Sequence, residues 1–232
     1  MKNKRKILLL VFVVLSASPL FSDSFSRWSI GAAGGYGMNH LIADADYHDS
    51  ISYNGQYGWG ASVDVSYRFS RHFGLESGIR YQQKNNYWEN SNSTLDLPLY
   101  TQHENSFFEI PLLLSFTAGE KVRFTTSMGF FLGYWAFSTY ESRSLVSFGS
   151  FKYEKTEGSW QFDSTRDNRF EAGFMAKGGM LFDLSFASLY VGAVYELSFT
   201  DMSRQCQSDQ ARRYNSCVMG EAGLVWEFGG DK

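Results

Sequence analysis

The sequence predicts an all-β protein that folds as an eight-stranded antiparallel up-and-down transmembrane β-barrel. Three observations predict this fold: eight segments alternate between apolar and polar residues, the connections between them alternate in length, and aromatic residues lie near both ends of the apolar faces. The composition agrees, because the 232 residues include 22 Gly and only 3 Pro, and 18% are aromatic. An aromatic content this high excludes a disordered chain.

The alternation is clearest in the segment 56–69. Tyr57, Trp59 and Val63 share one face of an extended strand, because side chains two residues apart point to the same side. Ser62 and Asp64 fall on the other face. The same period predicts eight strands, at 28–38, 56–69, 73–82, 108–116, 122–134, 170–177, 189–199 and 218–228.

Short and long connections alternate along the chain. The short ones are turns near 70–72, 119–121 and 183–187, and the long polar ones are 39–55, 85–106, 138–168 and 200–216. Four loops on one side and three turns on the other place both chain ends on the turn side of an even-stranded barrel. Short periplasmic turns and long extracellular loops are typical of membrane barrels.

Alternation alone does not decide which face is inside, since a secreted soluble barrel would turn its apolar face inward. The aromatic residues favour the membrane barrel, because such rings prefer the two membrane–water interfaces. The predicted loop-side girdle comprises Tyr36, Tyr57, Trp59, Tyr81, Phe108, Tyr134, Phe170 and Phe199. The predicted turn-side girdle comprises Trp28, Phe69, Phe73, Phe116, Trp226 and Phe228.

The opposite faces of the strands predict a charged barrel interior. Buried charges require partners or water, and both signs are present on these faces. The predicted lumen network comprises Asp64, Arg68, Glu76, Arg80, Glu109, Arg123, Glu171, Lys177, Glu196 and Glu221. Inward aromatic residues near the loop side would either line a small apolar pocket or block the mouth of the barrel, and we expect them to block it. These residues are Phe107, Phe131, Trp135, Phe137 and Tyr190.

The N-terminus has the layout of a secretory signal peptide. A basic start with Lys2, Lys4, Arg5 and Lys6 precedes the apolar run 7–15 and a stretch of small residues. We expect residues 1–22 to direct export and residues 23–232 to form the barrel domain. A membrane anchor is the alternative, although the apolar run is shorter than the roughly 20 residues that a spanning helix needs.

Three segments resemble the small bacterial outer-membrane β-barrels, the OmpA/OmpX/OmpW-like group and the PorT-type barrel domain. FFEIPLLL at 107–114 and GFFLG at 129–133 resemble the PorT-type strand pair. EAGLVWEF at 221–228 is similar to the C-terminal signal read by the barrel-assembly machinery, with Gly223, Trp226 and Phe228 in the matching positions; the usual signal ends the chain, whereas residues 229–232 follow here. The resemblance implies a bacterial outer-membrane location more than any particular activity.

The histidines do not indicate an enzyme. Some small outer-membrane barrels are lipid-modifying enzymes that use His and Ser, and His48 and Ser50 have a suggestive spacing in a loop beside Asp44, Asp46 and Asp49. A catalytic pair needs a rigid support, which a polar loop does not supply. The acidic loop also lacks the Gly and distal Glu of a calcium site. We expect no catalytic residue, no metal and no cofactor; the other histidines are His40, His72 and His103.

The two cysteines predict a disulfide. Cys206 and Cys217 lie at or beside the last long loop of a chain expected in an oxidising compartment. Closing this loop would stabilise the fold by about 3 kcal/mol in the chain-entropy model. Two free thiols are the alternative.

The sequence favours a non-enzymatic structural or surface-interaction role through the long extracellular loops. A narrow channel or pocket for small solutes, including apolar ones, is the alternative, and a lipid-modifying enzyme is the second alternative. Expected partners are outer-membrane lipid, the barrel-assembly machinery and an extracellular ligand. A formal net charge of −3 gives no reason to expect nucleic acid. We expect a monomer.

Overall fold

The computed structural model describes residues 26–43, 51–90, 99–147, 152–204 and 213–228. Its strands are β1 Trp28–Ala43, β2 Ile51–Arg68, β3 Phe73–Gln83, β4 Asn86–Asn90, β5 Leu99–Gly119, β6 Val122–Ser147, β7 Lys152–Ser159, β8 Phe170–Asp183, β9 Ser188–Ser198 and β10 Arg213–Phe228. Among the described residues, no helix is long and apolar enough to cross a membrane.

Eight strands close into an antiparallel ring in the order β1, β2, β3, β5, β6, β8, β9, β10. β1 pairs with β10 from Trp28 opposite Phe228 to Ala43 opposite Arg213, so the first and last strands seal the barrel. β4 continues β3 and pairs with the same neighbours, β2 and β5. β7 forms a hairpin with β6. The predicted eight-stranded up-and-down barrel is confirmed.

The polar faces of the strands line the interior. On β2, Val63 is 55% exposed whereas the neighbouring Ser62 is 5% exposed, and on β3 Ile79 is 62% exposed whereas Arg80 is 1% exposed. The apolar side chains therefore form the outer surface, which suits contact with lipid. The predicted orientation of the strand faces is confirmed.

Short turns join the strands at one end of the barrel, as predicted. β2 ends at Arg68 and β3 begins at Phe73, while β8 ends at Asp183 and β9 begins at Ser188. The turn after β5 is the tightest, and Gly119 there has a φ of +119°, a conformation that L side chains rarely adopt. We call this end of the barrel the turn end and the opposite end the loop end.

The strands extend further toward the loop end than the sequence predicts. Parts of all four predicted loops are strand: β4 and the start of β5 lie within 85–106, and β7 with the end of β6 lies within 138–168. β6 is 26 residues long, whereas crossing a membrane needs about 9–11 residues. The outward face of these extensions is largely polar, with residues such as Gln102, Glu104 and Glu141, so they lack the alternation that marks the membrane-crossing parts.

A β-bulge between β5 and β6 reverses the predicted direction of Phe137. Phe107 pairs with Trp135 and the preceding Ser106 pairs with Phe137, so Ala136 is an extra residue. One extra residue moves every following side chain to the other face. Phe137 is consequently 65% exposed on the outer surface, and its predicted inward position is wrong.

Candidate functional site

Ion pairs close the turn end of the lumen. The Arg123 guanidinium contacts Glu227 Oε1 and Asp183 Oδ1, each at 2.6 Å. Arg68 Nη2 lies 3.1 Å from the same Glu227 oxygen. The side chain of Arg123 extends inward from β6 and ties this strand to β8 and β10 across the barrel.

A small polar cavity of about 90 Å³ lies above these ion pairs. Lys177 Nζ lies 2.6 Å from Glu76 Oε1 and 3.1 Å from Asp64 Oδ2 on its wall. Ser127 donates a hydrogen bond to Glu76, and much of the remaining wall carries hydroxyl groups. The cavity is large enough for a few water molecules, since one water needs about 10–15 Å³ of cavity volume.

A buried charge cluster, which we call the plug, fills the lumen toward the loop end. Its members are Arg80, Lys84, Glu109, Glu171, Glu196 and Glu221. Lys84 Nζ is central, at 2.6 Å from Glu109 Oε1, 2.8 Å from Glu171 Oε2 and 3.3 Å from Glu196 Oε2. Arg80 pairs with Glu221 and lies 3.5 Å from Glu196. No member of the plug is more than 6% exposed.

Apolar side chains seal the space around the plug. Lys84 Nζ lies 4.7 Å from the ring centroid of Phe131 and 5.3 Å from that of Phe107. A buried apolar cluster stands at the same level, formed by Leu113, Phe131, Met175, Val194 and Met219. Rings and aliphatic chains therefore pack against the paired charges in this part of the barrel.

Buried asparagines form the next layer toward the loop end. Asn39 donates hydrogen bonds to the carbonyl of Asn85 and to Asn215 Oδ1, both at 3.2 Å. Asn215 in turn donates to Glu171 of the plug at 3.0 Å, and Asn105 donates to the Lys84 carbonyl at 3.0 Å. This layer satisfies the backbone at the break between β3 and β4 and fixes the position of Lys84.

Above the asparagines, the lumen opens into an aromatic cavity of about 450 Å³, which we call the vestibule. It is lined by Trp88, Thr101, His103, Tyr140, Ser142, Trp160 and Arg213. The rings of His103 and Trp160 meet edge to face with centroids 5.2 Å apart. Burial and the nearby Arg213 guanidinium lower the pKa of His103 from 6.5 to about 4, so this imidazole is neutral at pH 7.

Trp160 is held by the ordered segment 160–169. Its indole Nε1 donates to Asp167 Oδ2 at 3.3 Å, and its backbone NH donates to the Ser138 carbonyl at 2.8 Å. The Arg166 guanidinium stacks on the indole at 4.7 Å and pairs with Asp167. Asp167 forms a β-bridge with Ser203, which joins this segment to the connection after β9. The wall of the vestibule is therefore built before any ligand arrives.

Comparison with known proteins decides the family. The sequence model of the protein family described as "outer membrane protein beta-barrel domain" matches residues 16–204 of this chain. The chain belongs to this family of outer-membrane barrels. No match was found among curated proteins. In such barrels the short turns are periplasmic and the longer loops extracellular, so the vestibule is at the extracellular end.

Solved structures of outer-membrane barrels are similar in fold. Ail, the attachment invasion locus protein of Yersinia pestis, is 15% identical, with 87% of this chain and 100% of that chain covered and a TM-score of 0.43. OprG from Pseudomonas aeruginosa is 11% identical, with 88% and 99% covered and a TM-score of 0.45. The Neisserial surface protein NspA is 11% identical, with 87% and 97% covered and a TM-score of 0.38.

All ten residues of the predicted lumen network point into this outer-membrane barrel, where they divide among the turn-end ion pairs, the Lys177 cluster and the plug. The structure adds Lys84, Asp183 and Glu227. Lys84 was missed because it lies just beyond the predicted end of the third strand at residue 82, although it continues the inward alternation of Arg80 and Gln82.

The predicted inward aromatic residues separate into two groups. Phe107, Phe131 and Trp135 are buried near the plug, and Phe107 stacks on Trp135 with ring centroids 5.9 Å apart. Tyr190 is also buried, but it was wrongly placed near the loop side. It lies two residues after the start of β9 and lines the polar cavity near the turn end, because β9 follows a periplasmic turn.

The disulfide stays a prediction. Cys217 is buried in the lumen, where its sulfur accepts a hydrogen bond from Gln82 at 2.9 Å. Cys206 lies outside the described residues. The proposed assembly residues Gly223, Trp226 and Phe228 are in the last turn-end part of β10, paired with β1. Their recognition by the assembly machinery is also untested.

The residues considered for catalysis and for metal binding lie only partly within the described structure. His48 and Ser50 lie outside the described residues, as do Asp44, Asp46 and Asp49. His103 is a described histidine and lines the vestibule. Within the described ranges, no group of three or more His, Cys, Asp or Glu side chains could hold a metal ion.

Proposed function

We propose that this outer-membrane barrel is a non-enzymatic, non-conducting protein that acts through surface interactions at its extracellular end. The plug is the observation that supports this role. Lys84 and Arg80 are each 1% exposed and are held by carboxylates from several strands, so solutes have no open route across the lumen. A narrow channel is less well supported, and the cavity on the periplasmic side, at about 90 Å³, is smaller than the roughly 300–1,000 Å³ of usual small-molecule sites.

The proposal includes the path to the membrane. Residues 1–22 would act as a Sec signal peptide, and the barrel-assembly machinery would insert the chain as a monomer that contacts outer-membrane lipid. The extended strands support a role outside the cell, because β6 and β7 project well beyond the apolar outer surface of the membrane-crossing strands. Polar hairpins of this length are not needed to span a membrane.

Conductance across a planar lipid bilayer tests the closed lumen. The wild-type protein should give no steady current. Lys84→Ser removes the central cation of the plug, and the unpaired carboxylates should draw in water and cations, so a cation-selective current should appear. Lys155→Ser is the matched control, because Lys155 pairs with Glu141 and Glu157 on the exposed hairpin. A steady wild-type current equal to that of Lys84→Ser would refute the proposal.

A further inference from the structure

The vestibule combines flat aromatic surfaces with a few polar groups. Trp88, Tyr140 and Trp160 supply rings from different elements, and Tyr140 and Trp160 stand nearly perpendicular at 87° with centroids 6.2 Å apart. Two perpendicular rings form a corner rather than a flat wall. The volume of about 450 Å³ falls within the range of about 300–1,000 Å³ that is usual for small-molecule sites.

The polar groups of the vestibule are suited to hydroxyl-bearing ligands. Thr101 and Ser142 lie side by side on β5 and β6, where Thr101 Oγ1 donates a hydrogen bond to Ser142 Oγ at 3.2 Å and both hydroxyls keep further bonding capacity. Hydroxyl groups both donate and accept hydrogen bonds, and the neutral imidazole of His103 does the same. A purely apolar ligand would shield the remaining hydrogen-bonding capacity of these groups from water, which is unfavourable.

Arg213 gives the vestibule its charge preference. Its backbone NH donates to Asp201 Oδ1 at 3.2 Å, which fixes the start of β10. Among the residues that the structure describes, no carboxylate forms an ion pair with the Arg213 guanidinium. Because His103 is neutral at pH 7, Arg213 is the positive charge in the vestibule lining. A guanidinium can bind a carboxylate through two parallel hydrogen bonds.

We propose that the vestibule binds an acidic saccharide, with a sugar ring packed against Trp88, Tyr140 or Trp160 and the sugar carboxylate paired with Arg213. The apolar C–H face of a pyranose suits an aromatic ring, and its hydroxyl groups suit Thr101 and Ser142. This inference rests on the proposed surface-interaction role and names the ligand class for it. The ordered segment 160–169 favours binding, because a preformed wall loses little conformational entropy.

Isothermal titration calorimetry on the full chain in lipid nanodiscs tests the proposal with two probes. One is a hyaluronan tetrasaccharide, which alternates glucuronic acid and N-acetylglucosamine. The other is chitotetraose, which has the same length and no carboxylate. The acidic tetrasaccharide should bind about tenfold more tightly, as expected for one charge-assisted pair. Equal affinities, or no binding of either sugar, would overturn the proposal.

Variants separate the vestibule from general surface charge. Arg213→Gln should remove the preference for the acidic sugar, whereas Arg143→Gln should keep it, because Arg143 stacks on Tyr100 outside the vestibule at 4.8 Å. Trp88→Ala and Trp160→Ala should each weaken both sugars. Heat-dependent gel mobility verifies folding of each variant. Equal loss in Arg143→Gln and Arg213→Gln would contradict the assignment.

The conductance measurement separates this inference from the proposed function. A closed wild-type lumen without saccharide binding would refute the ligand class and leave the closed barrel intact. A conducting wild-type lumen would refute the proposed function, whatever the vestibule binds.

Discussion

Lys84 Nζ lies 2.6 Å from Glu109 Oε1 at the point where β3 breaks before β4. The break places a lysine in the middle of the lumen, where Glu171 and Glu196 also reach it. The plug contains four carboxylates and two cations, so each cation serves more than one partner. Removing a cation therefore leaves several buried charges without compensation.

Lys84→Met should lower the free energy of unfolding by about 3–5 kcal/mol, because it breaks a buried ion pair. Urea unfolding in lipid, followed by the loss of the heat-modifiable gel band, measures this change. Adding Glu109→Gln to Lys84→Met should recover part of the loss, since it removes one stranded carboxylate. Lys155→Met, on the exposed hairpin, should have no measurable effect. A loss equal in Lys84→Met and Lys155→Met would show that the plug does not stabilise the barrel.

Val63→Arg should prevent assembly, since Val63 faces lipid on the membrane-spanning part of β2. An arginine on the lipid face costs about 2–4 kcal/mol at the bilayer midplane. Val63→Leu is the matched control and should assemble normally. Heat-dependent gel mobility reports assembly, because a closed barrel resists detergent until it is boiled. Normal assembly of Val63→Arg would contradict the outward direction of this face.

Ser62→Arg tests the opposite face one residue away. Ser62 donates a hydrogen bond to Asp64 at 2.9 Å and is 5% exposed, so the new side chain must fit a crowded lumen. Ser62→Arg should still assemble in part, because the carboxylates of the lumen can pair with it. If Ser62→Arg failed while Val63→Arg assembled, the assignment of the two faces would be reversed.

Protonation of His103 at acidic pH should lower the stability of the protein. Its folded pKa of about 4 is below the usual 6.5, so the unfolded form binds more protons between these values. Stability is therefore complete above pH 6.5 and decreases as the pH falls toward 4, by about 1–2 kcal/mol at pH 5. Arg213 and Tyr140 face the imidazole, and Arg213 keeps its charge throughout.

The midpoints of urea unfolding at pH 7 and pH 5 measure this effect. Fluorescence of Trp160 is the local probe, and the other tryptophans are the same in both proteins that are compared. The wild-type midpoint should fall with pH by more than that of His103→Gln, which cannot titrate. Equal shifts in the two proteins would assign the acid sensitivity to other groups.

The sequence predicts the membrane-crossing parts of the fold well. Residues such as Val63 and Ile79 alternate with Ser62 and Arg80, and this period survives wherever lipid covers one face and the lumen the other. It fails beyond the membrane-crossing parts of the strands, where the outward face no longer meets lipid and carries polar residues. β4, β7 and the loop-end parts of β5 and β6 carry no such period, so they were assigned to loops.

The sites depend on contacts that alternation does not reveal. Phe137 turns outward because Ala136 is inserted opposite Ser106 and Phe107, and the local sequence has no mark of that bulge. The vestibule unites residues as distant as Trp88 and Arg213, which only the closed ring brings together. Lys84 was predictable in principle, since it keeps the inward period of β3.

Trypsin treatment of intact cells, followed by mapping of the cut sites, tests the barrel and its orientation most directly. Cuts should be confined to the extracellular end, in 138–168 and 200–216, where Lys155 and Arg166 are exposed. Arg71 and Lys121, which are also exposed in the turns, should be protected until the outer membrane is opened. Cutting at Arg71 or Lys121 in intact cells, or release of an uncut soluble protein, would contradict the account.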